Sequence, residues 1–110
     1  MKSDELFRLI REKRTPIVLD VRSGFEYGAG HIDGAIHIPF WVIPFTTSPL
    51  PRDRGVRIVI TCEHGPRAVL AQLFLSLRGY RNTELLDGHM AGWKGRGFPL
   101  TLTGTKRPRN

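Results

Sequence analysis

The segment from Arg57 to Asp87 constrains the fold more than any other stretch of this chain. Arg57-Ile58-Val59-Ile60-Thr61 is a short apolar run rich in β-branched residues, the pattern of a strand buried on both faces. Ala68 to Leu77 keeps polar residues only at Gln72 and Ser76, one turn apart, which predicts a mostly buried helix between Pro66 and Arg78. Gly79 is suited to close that helix, and Thr83-Glu84-Leu85-Leu86-Asp87 then reads as the next strand. Antiparallel strands can be joined by a tight turn, whereas parallel strands need a crossover of about a dozen residues or more. The segment therefore predicts a parallel strand-helix-strand unit.

The amino-terminal part adds to the same architecture. Ser3 is a candidate N-cap before Asp4 and Glu5, and Leu6, Phe7, Leu9 and Ile10 form an apolar stripe that predicts a short amphipathic helix through about Lys13. Ile17-Val18-Leu19-Asp20-Val21 is a second buried-strand pattern. Gly24 to Tyr27 fits a helical turn, Ala35-Ile36-His37-Ile38 a short strand, and Pro39 to Pro51, with four prolines, an irregular connection. Together these elements predict an α/β three-layer sandwich with a central, mainly parallel sheet flanked by helices. In such sheets ligands gather at the carboxyl ends of the strands, where Asp20, Cys62 and Asp87 stand.

Composition narrows the class. At 110 residues one domain is expected, over residues 1–100, with 101–110 as a basic, flexible tail. Cys62 is the only cysteine, which excludes an internal disulfide and a cysteine-based zinc site and favours a reducing, cytoplasmic setting. No window approaches the roughly 18 uninterrupted apolar residues of a membrane span, so no membrane partner is expected. The formal charge of +7 is concentrated in the last segment: residues 94–110 carry five cations and no acid, leaving 12 cations against 10 acids before them. A solvated tail is the first reading of that excess; nucleic acid is not the expected partner, although the tail leaves it open.

The lone cysteine sits in a telling place. Cys62-Glu63-His64-Gly65-Pro66-Arg67 runs from the end of a strand into a helix, and Pro66 suits the first helical position. Backbone amides of such a loop and of the first helical turn lack internal partners and form an anion-binding pocket. Cys62 at its mouth would be favoured as thiolate by these amides and by Arg67, which fits a nucleophile rather than a buried inert thiol. Gly65 permits close approach of the backbone, and Glu63 and His64 are candidates to assist proton movement.

Over about residues 4–100 the chain resembles the rhodanese-like sulfurtransferases. Leu19-Asp20-Val21-Arg22, Glu26-Tyr27, Gly30-His31-Ile32-Asp33-Gly34-Ala35 and Ile38-Pro39 are similar to that family's amino-terminal signature. Cys62 through Arg67 is similar to its active-site loop, and Gly79-Tyr80 with Leu86-Asp87-Gly88-His89-Met90-Ala91-Gly92-Trp93 to its carboxyl-terminal signature, although His89 and Gly92 replace the usual glycine and alanine. Asp20 and Arg22, leaving a strand end, are expected to brace the active loop, His31 to be structural and Trp93 to cover the core.

The resemblance implies that the Cys62 thiolate takes a sulfane sulfur from a small-molecule or protein donor, holds it as a persulfide, and hands it to a thiophilic acceptor such as cyanide, a thiol or a protein. The same loop amides could hold the anionic persulfide, so no cofactor and no metal are expected. Four residues separate Cys62 from Arg67, whereas the cysteine phosphatases that the loop also resembles have five, which disfavours phosphatase or arsenate reductase chemistry. A non-catalytic interaction module of the same fold is the other alternative, and retention of Cys62 argues against it. Glu63 beside the nucleophile is expected to repel an anionic donor such as thiosulfate.

Overall fold

Ile17–Asp20 (β1) and Ile58–Thr61 (β3) lie side by side in parallel at the centre of the computed structural model, with Leu19 opposite Ile60 and Asp20 opposite Thr61. Ile36–His37 (β2) extends the sheet beyond β1 and Thr83–Leu85 (β4) extends it beyond β3, giving the order β2-β1-β3-β4 with every pair parallel. The structure describes residues 1–102.

Alternation along the central strands separates two cores. Leu19, Val21, Ile58, Ile60 and Cys62 face one layer, together with Ile43, Leu50, Ala68, Ala71 and Leu75, whereas Val18 and Val59 face the other, together with Leu6, Ile32, Leu86, Met90 and Trp93. The period of two is the geometry of the pleated strand. Because both faces are covered, each large aliphatic side chain is removed from water, worth roughly 1.5–3 kcal/mol apiece. Cys62 continues the phase of Ile58 and Ile60, so the strand itself aims it into the first layer.

Helices supply the outer layers. Ser3–Arg11 (α1) buries Leu6 and Leu9, with Asp4 and Glu5 in its first turn and Arg8 and Arg11 in its last, a distribution that complements the helix dipole. Its N-cap is Lys2 rather than Ser3, whose hydroxyl instead donates to the Asp87 carbonyl at 3.3 Å. Gly24–Ala29 (α2) is a full short helix, started by a capping box in which Ser23 and Glu26 satisfy each other's backbone N–H groups. His89–Gly95 (α4) packs with α1 and buries Met90 and Trp93.

Pro66–Leu77 (α3) lies on the opposite face. It buries Ala68, Ala71 and Leu75 but exposes Val69, Leu73 and Leu77, contrary to the expectation of a mostly buried helix. A helix on a single sheet offers only one stripe to it, and the alanines at 68 and 71 define that stripe. Residues 39–51 are irregular, as expected, and insert Ile43 and Leu50 into the α3-side core. At the expected start of the tail, Thr101 pairs with His31 through two backbone hydrogen bonds of 3.0 and 2.7 Å. The remainder of the expected tail, 103–110, lies outside the described residues. Among the described residues no helix is long and apolar enough to cross a membrane.

Candidate active site

β3 delivers Cys62 to the carboxyl edge of the sheet, and α3 begins four residues later, so the connecting loop must turn sharply. It does so at Gly65, with φ +129°. This conformation carries little cost only without a Cβ, and it brings the Gly65 N–H to 2.9 Å from Cys62 Sγ, to which it donates. Pro66 follows at the first helical turn, as expected. Cys62 is fully covered, on the floor of the loop rather than at its mouth, because it completes the inward-facing row of β3.

The other side of the loop is held by α4. The Met90 and Ala91 N–H groups donate to the carbonyls of Cys62 and Glu63 at 2.9 and 3.0 Å. The Cys62 N–H donates to His89 Nδ1 at 3.3 Å, which places the proton of the neutral imidazole on Nε2. Burial, opposed by Asp87 and reinforced by His64, holds His89 below its ordinary range and keeps it in that neutral form. His89 also carries φ +52°, a left-handed conformation uncommon outside glycine.

Asp20 and Arg22 form the brace. Arg22 is only 2% exposed, and its Nε and Nη2 donate to the Asp20 carboxylate at 3.0 and 2.8 Å while Nη1 reaches Glu63 at 3.1 Å. A further bond of 2.8 Å runs from Nη2 to the Gly30 carbonyl. Burial works against the guanidinium charge, but Asp20 and Glu63 outweigh it and raise Arg22 above its ordinary value. A strand end, the end of α2 and the Cys62 loop are thereby tied at one cation.

Two expectations about charge are revised. Arg67 does not stand over Cys62 as an unengaged cation: its Nη1 and Nη2 donate to Glu26 at 2.6 and 2.9 Å, joining the start of α3 to the capping box of α2. That pairing, opposed by burial and aided by Ser23, lowers Glu26 to about 2. Glu63 is likewise compensated, since Lys94 lies 2.7 Å from one carboxylate oxygen and Arg22 3.1 Å from the other. Burial would raise Glu63, yet Lys94 and Arg22 together lower it. Its negative charge is therefore largely offset toward an approaching anion.

His64 is exposed on the rim of the loop, and Asp87 lies 3.8 Å from the Met1 amino group. The capping spacing Ser23-x-x-Glu26 was a readable signal for Glu26, whereas nothing in the spacing marked Lys94 or the contact of His89 with Cys62. Beside Glu63 a cleft of ≈ 280 Å³ opens between Arg22, Phe25, Glu26, Gly30 and Lys94, with Phe25 standing out into solvent. Among the described residues no group of three or more His, Cys, Asp or Glu side chains is gathered as a metal site.

Comparison with known proteins bears on the fold and family. The family model described as Rhodanese-like domain matches residues 3–96. A protein named Sulfurtransferase from Allochromatium vinosum is 31% identical over 98 residues, covering 89% of this chain and 90% of that protein. A tRNA uridine(34) hydroxylase from Sodalis glossinidius is 29% identical over 112 residues, covering 94% of this chain but only 32% of its own length. Among solved structures, a rhodanese-related protein from Thermoplasma volcanium superposes with TM-score 0.78 at 31% identity, covering 94% of this chain and 97% of that one.

Proposed function

The chain belongs to the rhodanese-like domain family, and from that premise we propose that it is a sulfurtransferase, moving a sulfane sulfur from a donor to a thiophilic acceptor through a persulfide on Cys62. The observation that carries this reading is the 2.9 Å hydrogen bond from the Gly65 amide to Cys62 Sγ, at a strand-to-helix turn. The similarity to the Allochromatium vinosum sulfurtransferase over nearly the whole of both chains supports it.

The chemistry follows from where the electron pairs go. The Cys62 thiolate attacks the outer sulfur of the donor, a new S–S bond forms, and the donor leaves with the electron pair of its broken bond: sulfite from thiosulfate, or a thiolate from an organic persulfide. The acceptor then attacks the outer sulfur of Cys62–S–S⁻, and Cys62 departs as thiolate. Each step transfers one sulfur atom and needs no external oxidant or reductant. Both the thiolate and the persulfide are anionic, so a preorganised amide donor serves both. No paired general base is required once the thiolate is formed.

The donor is a small molecule or protein carrying a sulfane sulfur, and the acceptor is a thiophile such as cyanide, a thiol or a protein; the cleft beside Glu63 opens next to the loop. The activity of the tRNA uridine(34) hydroxylases is not carried over, because this chain spans only about a third of those proteins. Thiocyanate formation from cyanide and a sulfane donor tests the proposal. The wild type is expected to turn over and Cys62→Ser to be inactive. Equal rates in the two proteins would overturn it.

A further inference from the structure

A second polar site lies at the other end of the sheet. The Arg81 N–H donates to the Arg54 carbonyl and the Ile58 N–H to the Asn82 carbonyl, which places these residues at the amino ends of β3 and β4, whereas Cys62 follows the carboxyl end of β3. Here Arg52, Arg54 and Arg78 converge with Thr46, Thr47 and Ser48 around a cavity of ≈ 250 Å³.

The arginines are built into position. Arg54 donates from Nε to the Arg78 carbonyl at 2.9 Å and from Nη1 to the Arg52 carbonyl and the Tyr80 hydroxyl, both at 3.0 Å. Its guanidinium lies over the Tyr80 ring at 4.4 Å. Arg78 Nη1 donates to the Pro44 carbonyl at 3.1 Å, but its Nε is buried without any hydrogen-bond partner. Burying a charged donor without an acceptor is costly. Among the described residues no carboxylate pairs with Arg52, Arg54 or Arg78, whereas Arg22, Arg57, Arg67 and Arg96 each have one. The neighbouring acid, Asp53, is turned to the Gly55 N–H at 2.9 Å.

We propose that this cavity binds the phosphate group of a small phosphorylated molecule. Among the described residues the Arg52 guanidinium and Arg54 Nη2 have no acceptor, Arg54 being engaged only through Nε and Nη1, and the oxygens of a phosphate supply acceptors that match the planar donor fork of arginine. The volume lies just below the roughly 300–1,000 Å³ of typical ligand pockets, enough for a phosphate and a few attached atoms. Single-stranded nucleic acid fits less well, because its binding calls for stacking aromatics along a groove. The aromatic residue here, Tyr80, is buried under Arg54.

The test is a titration of the whole chain with inorganic phosphate, followed by backbone amide NMR, with chloride replaced to keep ionic strength constant. Saturable shifts are expected at residues 46–54 and 78–80. They should persist in Cys62→Ser, which separates this site from the anion-binding loop, and be lost or weakened at least tenfold in Arg78→Gln and in the exposed variant Arg52→Gln. Shifts confined to residues 62–67, or unchanged in Arg52→Gln, or absent altogether would overturn the proposal. So would a short RNA that moves these amides where inorganic phosphate does not.

Discussion

The Gly65 amide donates to Cys62 Sγ across 2.9 Å, and it does so from a backbone conformation, φ +129°, that a side chain would strain. A Cβ at this position would also approach His89 Nε2 to 3.3 Å. Gly65→Ala is therefore expected to displace the loop, at a cost of about 1–3 kcal/mol in stability. Urea denaturation should show that loss, and single-turnover sulfur loading should slow by at least tenfold, or about 1.4 kcal/mol of activation free energy. Wild-type loading in this variant would remove the amide from the mechanism.

Arg22 is the buried cation on which Asp20, Glu63 and Gly30 meet. Arg22→Ala leaves the fully buried Asp20 carboxylate without its partner, and a loss of about 3–5 kcal/mol is expected. That is a large share of the roughly 5–15 kcal/mol by which domains are stable. The double variant Asp20→Asn/Arg22→Met should recover part of it, since no unpaired charge is then buried. Additive losses in a double-mutant cycle would contradict the pairing.

Glu63 sits between two cations, so removing its charge exposes theirs. Glu63→Gln is expected to lower the KM for thiosulfate, a dianion, several-fold relative to that for a simple alkyl persulfide, which carries a single negative charge. The difference should shrink as salt is added, because Lys94 is half exposed and screened. A KM that rises would mean that Glu63 positions the donor instead.

Two pH windows are expected in stability. His89 is held below its ordinary 6.5 in the folded chain, so the unfolded chain binds its proton first. Its contribution is complete above 6.5 and is lost as pH falls through that value toward the depressed native one. Glu26 titrates at about 2 instead of 4.5, so its contribution is present above 4.5 and is lost as pH falls toward 2, a range in which Glu63 also takes part. Urea melts across pH should show both slopes. His89→Asn, which tolerates a left-handed backbone and retains an acceptor for the Cys62 N–H, should flatten the upper slope. Glu26→Gln should reduce the lower one. An unchanged upper slope in His89→Asn would remove His89 as its source.

Much of this arrangement was legible in the chain because it is local. Continuous apolar, β-branched runs at Ile17–Asp20 and Ile58–Thr61 announced two buried parallel strands, and the succession Cys62 to Arg67 announced a strand-to-helix turn. α4 was not legible: it has seven residues, two of them glycine, and starts at a left-handed histidine, so no apolar period marks it. The exposure of Val69, Leu73 and Leu77 was equally hidden, since a continuous apolar run does not say how much of a helix the sheet can cover. The partners of the charged residues were hidden for a different reason. Arg67 and Glu26 are 41 positions apart, as are Arg22 and Glu63, and only the tertiary fold decides that they compensate each other instead of facing the substrate.

The central claim is that Cys62 carries the sulfur covalently, and intact mass spectrometry under non-reducing conditions tests it most directly. After incubation with thiosulfate, and separately with glutathione persulfide, the wild type should gain the mass of one sulfur atom and lose it on addition of cyanide. Cys62→Ser should gain nothing. An unmodified wild type with both donors, or an adduct of the same mass on Cys62→Ser, would contradict the account.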